Sequence, residues 1–577
     1  MNPELYFEKY HSTTQKKYEA LRAFFQENKT AQEVSDISGY SVSAIYSLVR
    51  DFTKDLKTKA PETLFFIKPK KGRAFNQNHD QIVILVIALR KKNFSVPDIK
   101  SILDAQQFIV SEGTIHKILR NDGFARLPRR DKETRQLAKL PKMEALKSEP
   151  LKFCHESFSS SGAGLLCFLP VLYEYGIDET IRNSSYPETS RISTISSILA
   201  FLALKLSNVR RYSVDDLWCM DRGLGLFAGL NVLPKAAWYS SYSHRITREM
   251  NRSFLKDLHK LWKSHNLLGD TANLDFTTIP YWGDDSHLEN NWSGKRHHSL
   301  SSMLAILAQD PDSGIIDYGD TDILHKDQDA VILEFLDFYK QGGSSDDSLK
   351  YLVFDSKFTT YENLSRLDEK GLKFITIRRR GKNIVKEIDN IPDKQRRKIR
   401  VTCAGNKSRW LYTVDQKVKL KQYGEIRQIA ITGKIKPALI ITNDYEIKTE
   451  EIVRKYSRRW LVEKGISEQV EFFHLNRVSS SMVIKVDFDL TMTILAHNIY
   501  RLLALDLGRY SHMTSTSLYE KFIMNSGEVI IEEDQIIVKL KKKRNLPAVL
   551  TAMKPYEKQN YEILGNKILR FEGATFS

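Results

Sequence analysis

Three carboxylates in different sequence surroundings are the residues best suited to chemistry. Asp275 interrupts the apolar and β-branched stretch NLDFTTIPYW, and Asp355 directly follows the apolar stretch KYLVF. Both stretches are typical of strands buried in a sheet. Glu463 lies within Tyr456–Asn476, where apolar residues recur every three or four positions and predict one continuous helix. Two strands and one helix therefore carry acids that the fold could bring together.

One face of the predicted helix mixes core residues with charges. The residues on this face follow one another in steps of four and three: Ile452, Tyr456, Arg459, Glu463, Ile466, Val470 and Phe473. A carboxylate on such a face is costly to bury unless a cation or a metal ion meets it. The simpler interpretation is an Arg459–Glu463 ion pair on a half-exposed helix. The other is that Glu463 belongs to a metal site.

The chemistry open to three converging acids is phosphoryl transfer. Mg²⁺ prefers oxygen ligands and keeps waters that incoming phosphates replace. Two such ions about 4 Å apart activate the attacking oxygen and stabilise the leaving one. Such a reaction needs few side chains, because the protein mainly supplies positioning and charge.

Other acids near these positions are weaker candidates. Asp284 and Asp285 could serve in place of Asp275, but they follow the turn predicted at Gly283, which favours a structural role in a loop. Glu468 is an alternative third acid. Because it lies five positions from Glu463, a helix turns it away from the Glu463 face.

The charge balance indicates a polyanionic partner. The 577-residue chain has 88 lysines and arginines against 71 aspartates and glutamates, a net charge of +17 and a pI of about 9.3. Nucleic acid is the simplest such partner. Hydrophobic residues make up 41% of the chain, which is enough for packed cores in several domains.

Cysteine usage and the N-terminal sequence predict a compartment. The four cysteines are scattered without CxxC spacing, which argues against a disulfide framework or a zinc site. The first ten residues, MNPELYFEKY, lack the apolar run of a signal peptide. Apolar stretches such as Ile82–Leu89 are far shorter than the roughly 20 residues that cross a bilayer. We therefore expect a soluble protein of the cytoplasm, without a membrane partner.

Two N-terminal segments have the pattern of helix-turn-helix modules. In the first, Lys16–Asn28 predicts one helix, Thr30 caps the next, Gly39 ends it and Val42–Asp51 forms the third. This architecture places a recognition helix in the major groove of DNA, although any three-helix packing module has the same pattern.

The second module follows a basic spacer around residues 68–73. Its predicted helices are Gln81–Lys92, Val96–Asp104 capped by Ser95, and Glu112–Asn121 capped by Ser111. The last helix and the tail behind it carry the cations expected to contact DNA, namely Lys117, Arg120, Arg129 and Arg130. Two modules in tandem, each beside a basic segment, favour DNA binding over a protein adaptor.

The order of the remaining elements predicts a multidomain α/β protein with a mixed sheet and flanking helices. This arrangement resembles an RNase H-like core that is interrupted by a β-rich insertion. The expected segments are a helix-turn-helix unit (1–57), a basic linker with a second unit (58–135), a helical connecting domain (136–270), the first part of the core (271–382), the insertion (383–435), the last strand and catalytic helix (436–505) and a C-terminal β-containing extension (506–577).

These motifs resemble those of bacterial insertion-sequence transposases of the DDE type, in the group with a tyrosine–arginine–glutamate–lysine signature. Tyr456, Arg459 and Glu463 have the spacing of that signature, and Trp460 completes its RW pair. The stretch LDFTTIPYWGDDSHLENNW is similar to the opening motif of the family. The stretch VFDSKFTTYENLSRLDEKGLKFI is similar to its second motif. The resemblance covers roughly residues 230–505.

The resemblance implies both a reaction and a set of roles. Asp275, Asp355 and Glu463 would be catalytic and bind Mg²⁺, two ions in all, with Mn²⁺ able to substitute. Tyr456, Arg459 and Lys464 would hold DNA phosphates. The protein, as a homodimer, would nick double-stranded DNA at terminal inverted repeats and join the freed 3′-hydroxyl to target DNA.

One departure from the family pattern concerns the signature lysine, whose position holds Val470 here. Lys464, His474 or Arg477 could replace its phosphate contact. In the insertion, Trp410 is a candidate for the aromatic residue with which the family distorts DNA ends, against the simpler interpretation of a core tryptophan.

Two alternatives to the transposase remain open from sequence. One is a DNA-binding regulator whose RNase H-like domain is inactive. The other is a structure-selective nuclease without strand transfer. The three acids favour an active enzyme over the first, and the tandem DNA-binding modules favour recognition of specific ends over the second.

Overall fold

The computed structural model describes residues 12–58, 64–65, 79–91, 96, 99–100, 103, 108, 110–124, 153–189, 191–210, 217–280, 289–293, 298–324, 328, 330–342, 349–355, 360–402, 408–433, 437–475 and 483–574. The chain divides into two compact units, Met1–Val83 and Ile84–Ser577.

The first unit contains three short helices around a small apolar core. They are α1 (Thr13–Phe25), α2 (Ala31–Ser38) and α3 (Val42–Thr58). Thr30 caps α2 in a reciprocal capping box with Glu33, and Gly39 ends it with a φ of +66°, as the sequence predicts. Ala20, Val34 and Ile45 are buried between the helices.

The next two helices are α4 (His79–Lys91) and α5 (Glu112–Asn121). Ser111 caps α5 by accepting a hydrogen bond from the Thr114 N–H at 3.2 Å, which confirms the predicted start. Of the predicted helix Val96–Asp104, most residues lie outside the described part of the chain.

Residues 153–264 are mainly helical, as expected for the connecting segment. After strand β1 (Glu156–Ser160) and a 3₁₀ turn (Ala163–Cys167), the helices are α6 (Phe168–Glu174), α7 (Ile177–Arg182), α8 (Thr194–Leu206), α9 (Arg222–Phe227), α10 (Ala236–Ser243) and α11 (Arg248–Ser264). Almost every residue of α8 is buried, so this helix lies in the centre of the core.

A large mixed sheet follows. Its strands are β2 (Thr271–Pro280), β3 (Asn290–Ser293), β4 (His298–Gln309), β5 (Ile316–Ile323), β6 (Tyr351–Phe354), β7 (Lys373–Ile377), β8 (Arg397–Thr402), β9 (Ser408–Leu420), β10 (Gly424–Thr432) and β11 (Ala438–Thr442). The order across the sheet is β3-β4-β2-β6-β7-β11-β10-β9-β8, and β5 also pairs with β4.

Strand direction divides this sheet into two parts. The strands β5, β4 and β2 are antiparallel, and β2, β6 and β7 are parallel, which is the RNase H-like arrangement that the sequence predicts. From β7 onwards, β11, β10, β9 and β8 add as antiparallel neighbours. The strands of the predicted insertion thus extend the same sheet through β11.

Helices cover both faces of the sheet, which makes the fold a multidomain α/β structure as expected. They are α12 (Val331–Gly342), α13 (Tyr361–Glu369), α14 (Lys382–Asp389), α15 (Thr449–Ser457), α16 (Trp460–Glu471) and α17 (Val483–Asp506). The close approach of α17 to β5 depends on Gly319, where a Cβ atom would lie 2.4 Å from Ile494 Cδ1. Ile452 and Val453 of α15 pack on Val353 and Ile375 at the opposite face.

The C-terminal extension forms a second sheet with a strand from the start of the connecting segment. Its remaining elements are α18 (Ser515–Leu518), β12 (Gly527–Ile531), β13 (Gln535–Leu540), α19 (Leu546–Met553), β14 (Asn560–Tyr561) and β15 (Lys567–Gly573). β1 pairs antiparallel with β12, Glu156 opposite Ile531, across 375 residues of chain. In the part of the chain that the structure describes, no helix combines the length and apolar character needed to span a membrane.

A buried carboxylate on α17 makes stability depend on pH. Asp487 accepts hydrogen bonds from Asn251 Nδ2 at 2.6 Å and from Thr321 Oγ1 at 3.2 Å. Burial, and then the nearby charge of Asp320, raise its pKa from 3.8 to about 7. Its contribution to stability is therefore complete only below pH 3.8 and is lost as the pH rises through about 7.

We expect Asp487→Asn to be more stable than the wild type at pH 8 by about 1–3 kcal/mol, because the amide never has to ionise in the core. The advantage should narrow towards pH 4. Thermal unfolding midpoints of both proteins between pH 4 and pH 8 measure this. A stability difference between the two proteins that stays constant across the range would contradict the assignment.

Candidate active site

The register of the central strands places two of the predicted acids side by side. β2 and β6 are parallel, and Leu274 is paired with Phe354. Asp275 and Asp355 are the next residues of their chains, so they lie next to each other in the direction across the sheet. The charge of Asp355 acts on Asp275 and contributes to raising its pKa.

The prediction of one continuous helix is wrong in one respect, because the helix is interrupted at Arg458 and Arg459. α15 ends at Ser457, α16 begins at Trp460, and the turn between them closes with short-range bonds such as Arg459 N–H to the Tyr456 carbonyl at 3.1 Å. The Arg458 carbonyl accepts hydrogen bonds from the Leu461 N–H at 2.9 Å and from Asn273 Nδ2 at 3.1 Å. This bond fixes the interruption against β2, two residues before Asp275.

Arg458 itself anchors the same turn from the other side. Its guanidinium lies 2.7 Å from Asp312 and donates to the Pro311 carbonyl at 2.6 Å. Sequence reasoning missed both Asn273 and Arg458 as residues that position the site. The signals were weak: an amide within an apolar strand, and the first arginine of an adjacent pair.

Arg459 joins the third acid to the first. Its Nη1 lies 3.0 Å from Asp275 Oδ2, and its Nη2 lies 2.5 Å from Glu463 Oε1. One planar guanidinium thus bridges a carboxylate on the sheet and a carboxylate on α16. The ion pair Arg459–Glu463, one of the two interpretations open from sequence, is present and includes Asp275 as a third member.

Burial falls on a different acid than the helix pattern predicts. The Glu463 side chain is 51% exposed, whereas those of Asp275 and Arg459 are 17% and 15% exposed. Burial raises the pKa of Asp275 to about 6, even though Arg459 and the Phe276 N–H oppose the change. Burial lowers the pKa of Arg459, but Asp275, Tyr456 and Glu463 together raise it above its ordinary value.

Tyr456 completes this group. The Arg459 guanidinium lies 5.8 Å from the centroid of its ring. Burial raises the pKa of the Tyr456 hydroxyl, and Asp355 and Glu463 add to this effect. The side chain of Lys464 is exposed beside Glu463. The chain therefore brings Asp275, Asp355, Glu463, Tyr456 and Arg459 into one electrostatic group.

The donor set fits a hard divalent cation, because it consists of carboxylate oxygens on rigid elements. Among the described residues, however, no three acids stand in an arrangement ready to hold a metal ion. Arg459 lies between Asp275 and Glu463 and donates a hydrogen bond to one oxygen of each.

Two residues considered from sequence are engaged elsewhere. His474 Nε2 lies 2.6 Å from Asn208 Oδ1, and the residue is buried, so it does not face a phosphate. Glu468 accepts hydrogen bonds from the Ser515 N–H and hydroxyl and lies 3.8 Å from His497. It points away from the Glu463 face, as the helix spacing indicates.

The expectation that Trp410 is a core residue is wrong. Its side chain is 60% exposed on β9, opposite Arg400 of β8, with the Lys398 ammonium 5.1 Å from its ring. Ile388 of α14 packs in a cluster with Val414, Ala430 and Leu439, and Trp410 is not part of that cluster. Its role at DNA ends remains a prediction.

On α5, Lys117 and Arg120 are exposed on the side opposite the buried Ile115, Ile118 and Leu119. This places the predicted DNA-contacting cations on the solvent face of a capped helix. The other residues named from sequence, Arg129, Arg130, Asp284, Asp285 and Arg477, lie outside the described residues.

Comparison with known proteins gives a family for this part of the chain. Residues 274–499 match the family described as "Transposase DDE domain". No curated protein sequence matches the chain. Among solved structures, the chain is similar to a piggyBac transposase seen by cryo-EM in a synaptic complex with hairpin DNA. The identity is 12%, the TM-score is 0.31, and the match covers 58% of this chain and 75% of that one. The residues that match this family include all three acids, Tyr456 and Arg459.

Proposed function

We propose that the protein is a DNA transposase of the cut-and-paste type. It cleaves DNA at the ends of its element and joins the freed 3′-hydroxyl to target DNA, with Asp275, Asp355 and Glu463 as the catalytic acids. The observation that carries this proposal is their grouping within the matched domain: adjacent parallel strands bear two of them, and Arg459 ties the third to the first.

The cationic and hydroxyl groups beside the acids suit contact with DNA phosphates. The planar fork of Arg459 matches two phosphate oxygens, and its position holds it within reach of whatever the acids act upon. The Tyr456 hydroxyl on α15 and the exposed Lys464 ammonium on α16 add a donor and a point charge. Lys464 is our candidate to replace the missing signature lysine at Val470.

The cofactor of the proposed reaction is Mg²⁺, two ions held by Asp275, Asp355 and Glu463, with Mn²⁺ as a substitute. When bound, such ions supply the positive charge that activates an attacking oxygen and stabilises a leaving one. The protein's own contribution is to hold the scissile phosphate beside the three acids.

The proposed partners are the terminal inverted repeats of an insertion sequence and its target DNA, bound by a homodimer at the bacterial nucleoid. Two features support this: the net charge of +17, and exposed cations on a capped helix in the second N-terminal module. The first module supplies a compact three-helix unit of the size that helix-turn-helix proteins use.

A cleavage assay tests the proposal. Linear DNA carrying the sequences that flank the coding region, including any inverted repeats, is incubated with the full chain and Mg²⁺ and a supercoiled plasmid. We expect cuts at the repeat ends and joined products in the plasmid. Cuts without joined products would instead support a nuclease.

One observation favours the inactive regulator as a second candidate. In the described residues Arg459 pairs with Asp275 and Glu463, and the acids do not form a ready metal site. The same assay decides, because a regulator would bind the flanking DNA and leave it uncut.

The DNA-binding helix α5 gives a separate prediction. We expect Lys117→Glu with Arg120→Glu to weaken binding to the flanking DNA by about tenfold or more, and to reduce the slope of log affinity against log salt by about 2. The control is Lys554→Glu with Lys558→Glu, which changes the net charge equally at exposed C-terminal positions. Equal losses in both double variants, measured by fluorescence anisotropy, would point to general charge rather than α5.

A further inference from the structure

Arg459 occupies the place where the acids need a counter-charge. It engages Asp275 Oδ2 with one terminal nitrogen and Glu463 Oε1 with the other, and its own side chain is largely buried. The second oxygen of Asp275 accepts the Phe276 N–H at 2.8 Å. Each oxygen of Asp275 therefore already has a donor.

The contacts of Arg459 leave part of its guanidinium without a hydrogen bond, which costs free energy. Arg459 Nε is buried and has no hydrogen-bond partner among the described residues. A guanidinium with a buried, unpartnered N–H loses part of its hydration without full compensation. This uncompensated cost favours a guanidinium that leaves this position when another cation reaches the acids.

A divalent cation at these acids competes directly with Arg459. The oxygens that would bind the ion are the ones that the guanidinium engages, and both cations cannot approach the same lone pairs closely. The interruption between α15 and α16 places Arg459 at the first turn of α16, next to the Tyr456 ring, where its long side chain has another surface to lie against.

We propose that Arg459 is an exchangeable counter-ion of the active site. In the metal-free protein it holds Asp275 and Glu463 together, and entry of a divalent cation releases it to contact a DNA phosphate. Metal occupancy and phosphate capture are thereby coupled through one side chain, and each promotes the other. This inference rests on the proposed function, since it assumes that the three acids bind a metal ion.

The test measures metal binding without DNA and without turnover. Mn²⁺ is titrated into the full chain, and free Mn²⁺ is followed by its electron paramagnetic resonance signal. We expect Arg459→Gln to bind Mn²⁺ at least about fivefold more tightly than the wild type, because the competing charge is gone. Arg366→Gln is the matched control: its guanidinium pairs with Glu362 on α13, outside the group of acids, and its variant should bind like the wild type.

One further variant, Asp275→Asn, separates the possible failures. If Asp275→Asn abolishes Mn²⁺ binding while Arg459→Gln binds no more tightly than the wild type, the counter-ion role is wrong and the metal site stands. If Asp275→Asn binds Mn²⁺ as the wild type does, the metal site lies elsewhere and both proposals fall.

Arg459→Lys keeps the test decisive if the glutamine variant does not fold. A lysine retains the charge but presents one nitrogen, so it cannot bridge Asp275 and Glu463 as the fork does. We expect Mn²⁺ affinity between those of the wild type and the glutamine variant. In EDTA, both variants should melt at lower temperatures than the wild type. Mn²⁺ should raise the melting temperature of each variant by more than it raises that of the wild type. A smaller rise than in the wild type would overturn the proposal.

Discussion

Glu463→Gln is expected to reduce DNA cleavage by about a thousandfold or more while leaving the fold and DNA binding intact. Removal of one member of a catalytic group that acts as a unit commonly costs this much. Glu463 is half exposed and its contacts in the described residues are with Arg459, so the amide substitution barely changes packing. Asp275→Asn and Asp355→Asn should show similar losses, measured as initial rates of nicking at the flanking repeats with Mg²⁺.

Glu471→Gln provides the matched control for this prediction. It makes the same chemical change at an exposed position on the same helix, eight residues further along and outside the group of acids. We expect its cleavage rate to stay within about twofold of the wild type, as for most surface substitutions. If Glu463→Gln cleaved DNA as fast as the wild type, the three-acid mechanism would be wrong.

Gly164→Ala is expected to cause the largest loss of stability, about 2–4 kcal/mol. Gly164 lies in the 3₁₀ turn after β1, and its N–H donates to the Asn525 carbonyl at 2.9 Å. A Cβ atom there would lie 2.2 Å from the Ile523 carbonyl oxygen. Because that neighbour is backbone, relief requires the C-terminal segment before β12 to move. The midpoint of thermal unfolding measures the effect.

Gly381→Ala is the control, since it adds the same methyl group where there is room. Gly381 is exposed at the start of α14, and its nearest neighbour to an added Cβ would be Ile384 Cδ1 at 3.9 Å. We expect a change within about 0.5 kcal/mol. If the two variants melted together, the tight packing of residues 163–167 under the C-terminal segment would be disproved.

The chain's local sequence determined the elements and their chemistry. Thr30, Gly39 and Ser111 fix helix ends through their own side-chain or backbone properties, and these predictions hold because capping involves only neighbouring residues. The apolar stretches before Asp275 and Asp355 likewise gave buried strands. Residue type and spacing around Glu463 were enough to indicate a DDE-type domain, which the family match bears out.

The tertiary structure alone decided which residues meet. Nothing near Glu156 in sequence indicates a partner 375 residues away, and nothing in β8–β10 shows that they extend the central sheet. Asn273 donates a hydrogen bond to a carbonyl at the interruption of the predicted helix, and Arg459 reaches across to Asp275. Such contacts depend on packing between distant segments, whose free energies exceed local preferences. For the same reason, the buried acid is Asp275 on the sheet, while Glu463 on the helix stays in contact with water.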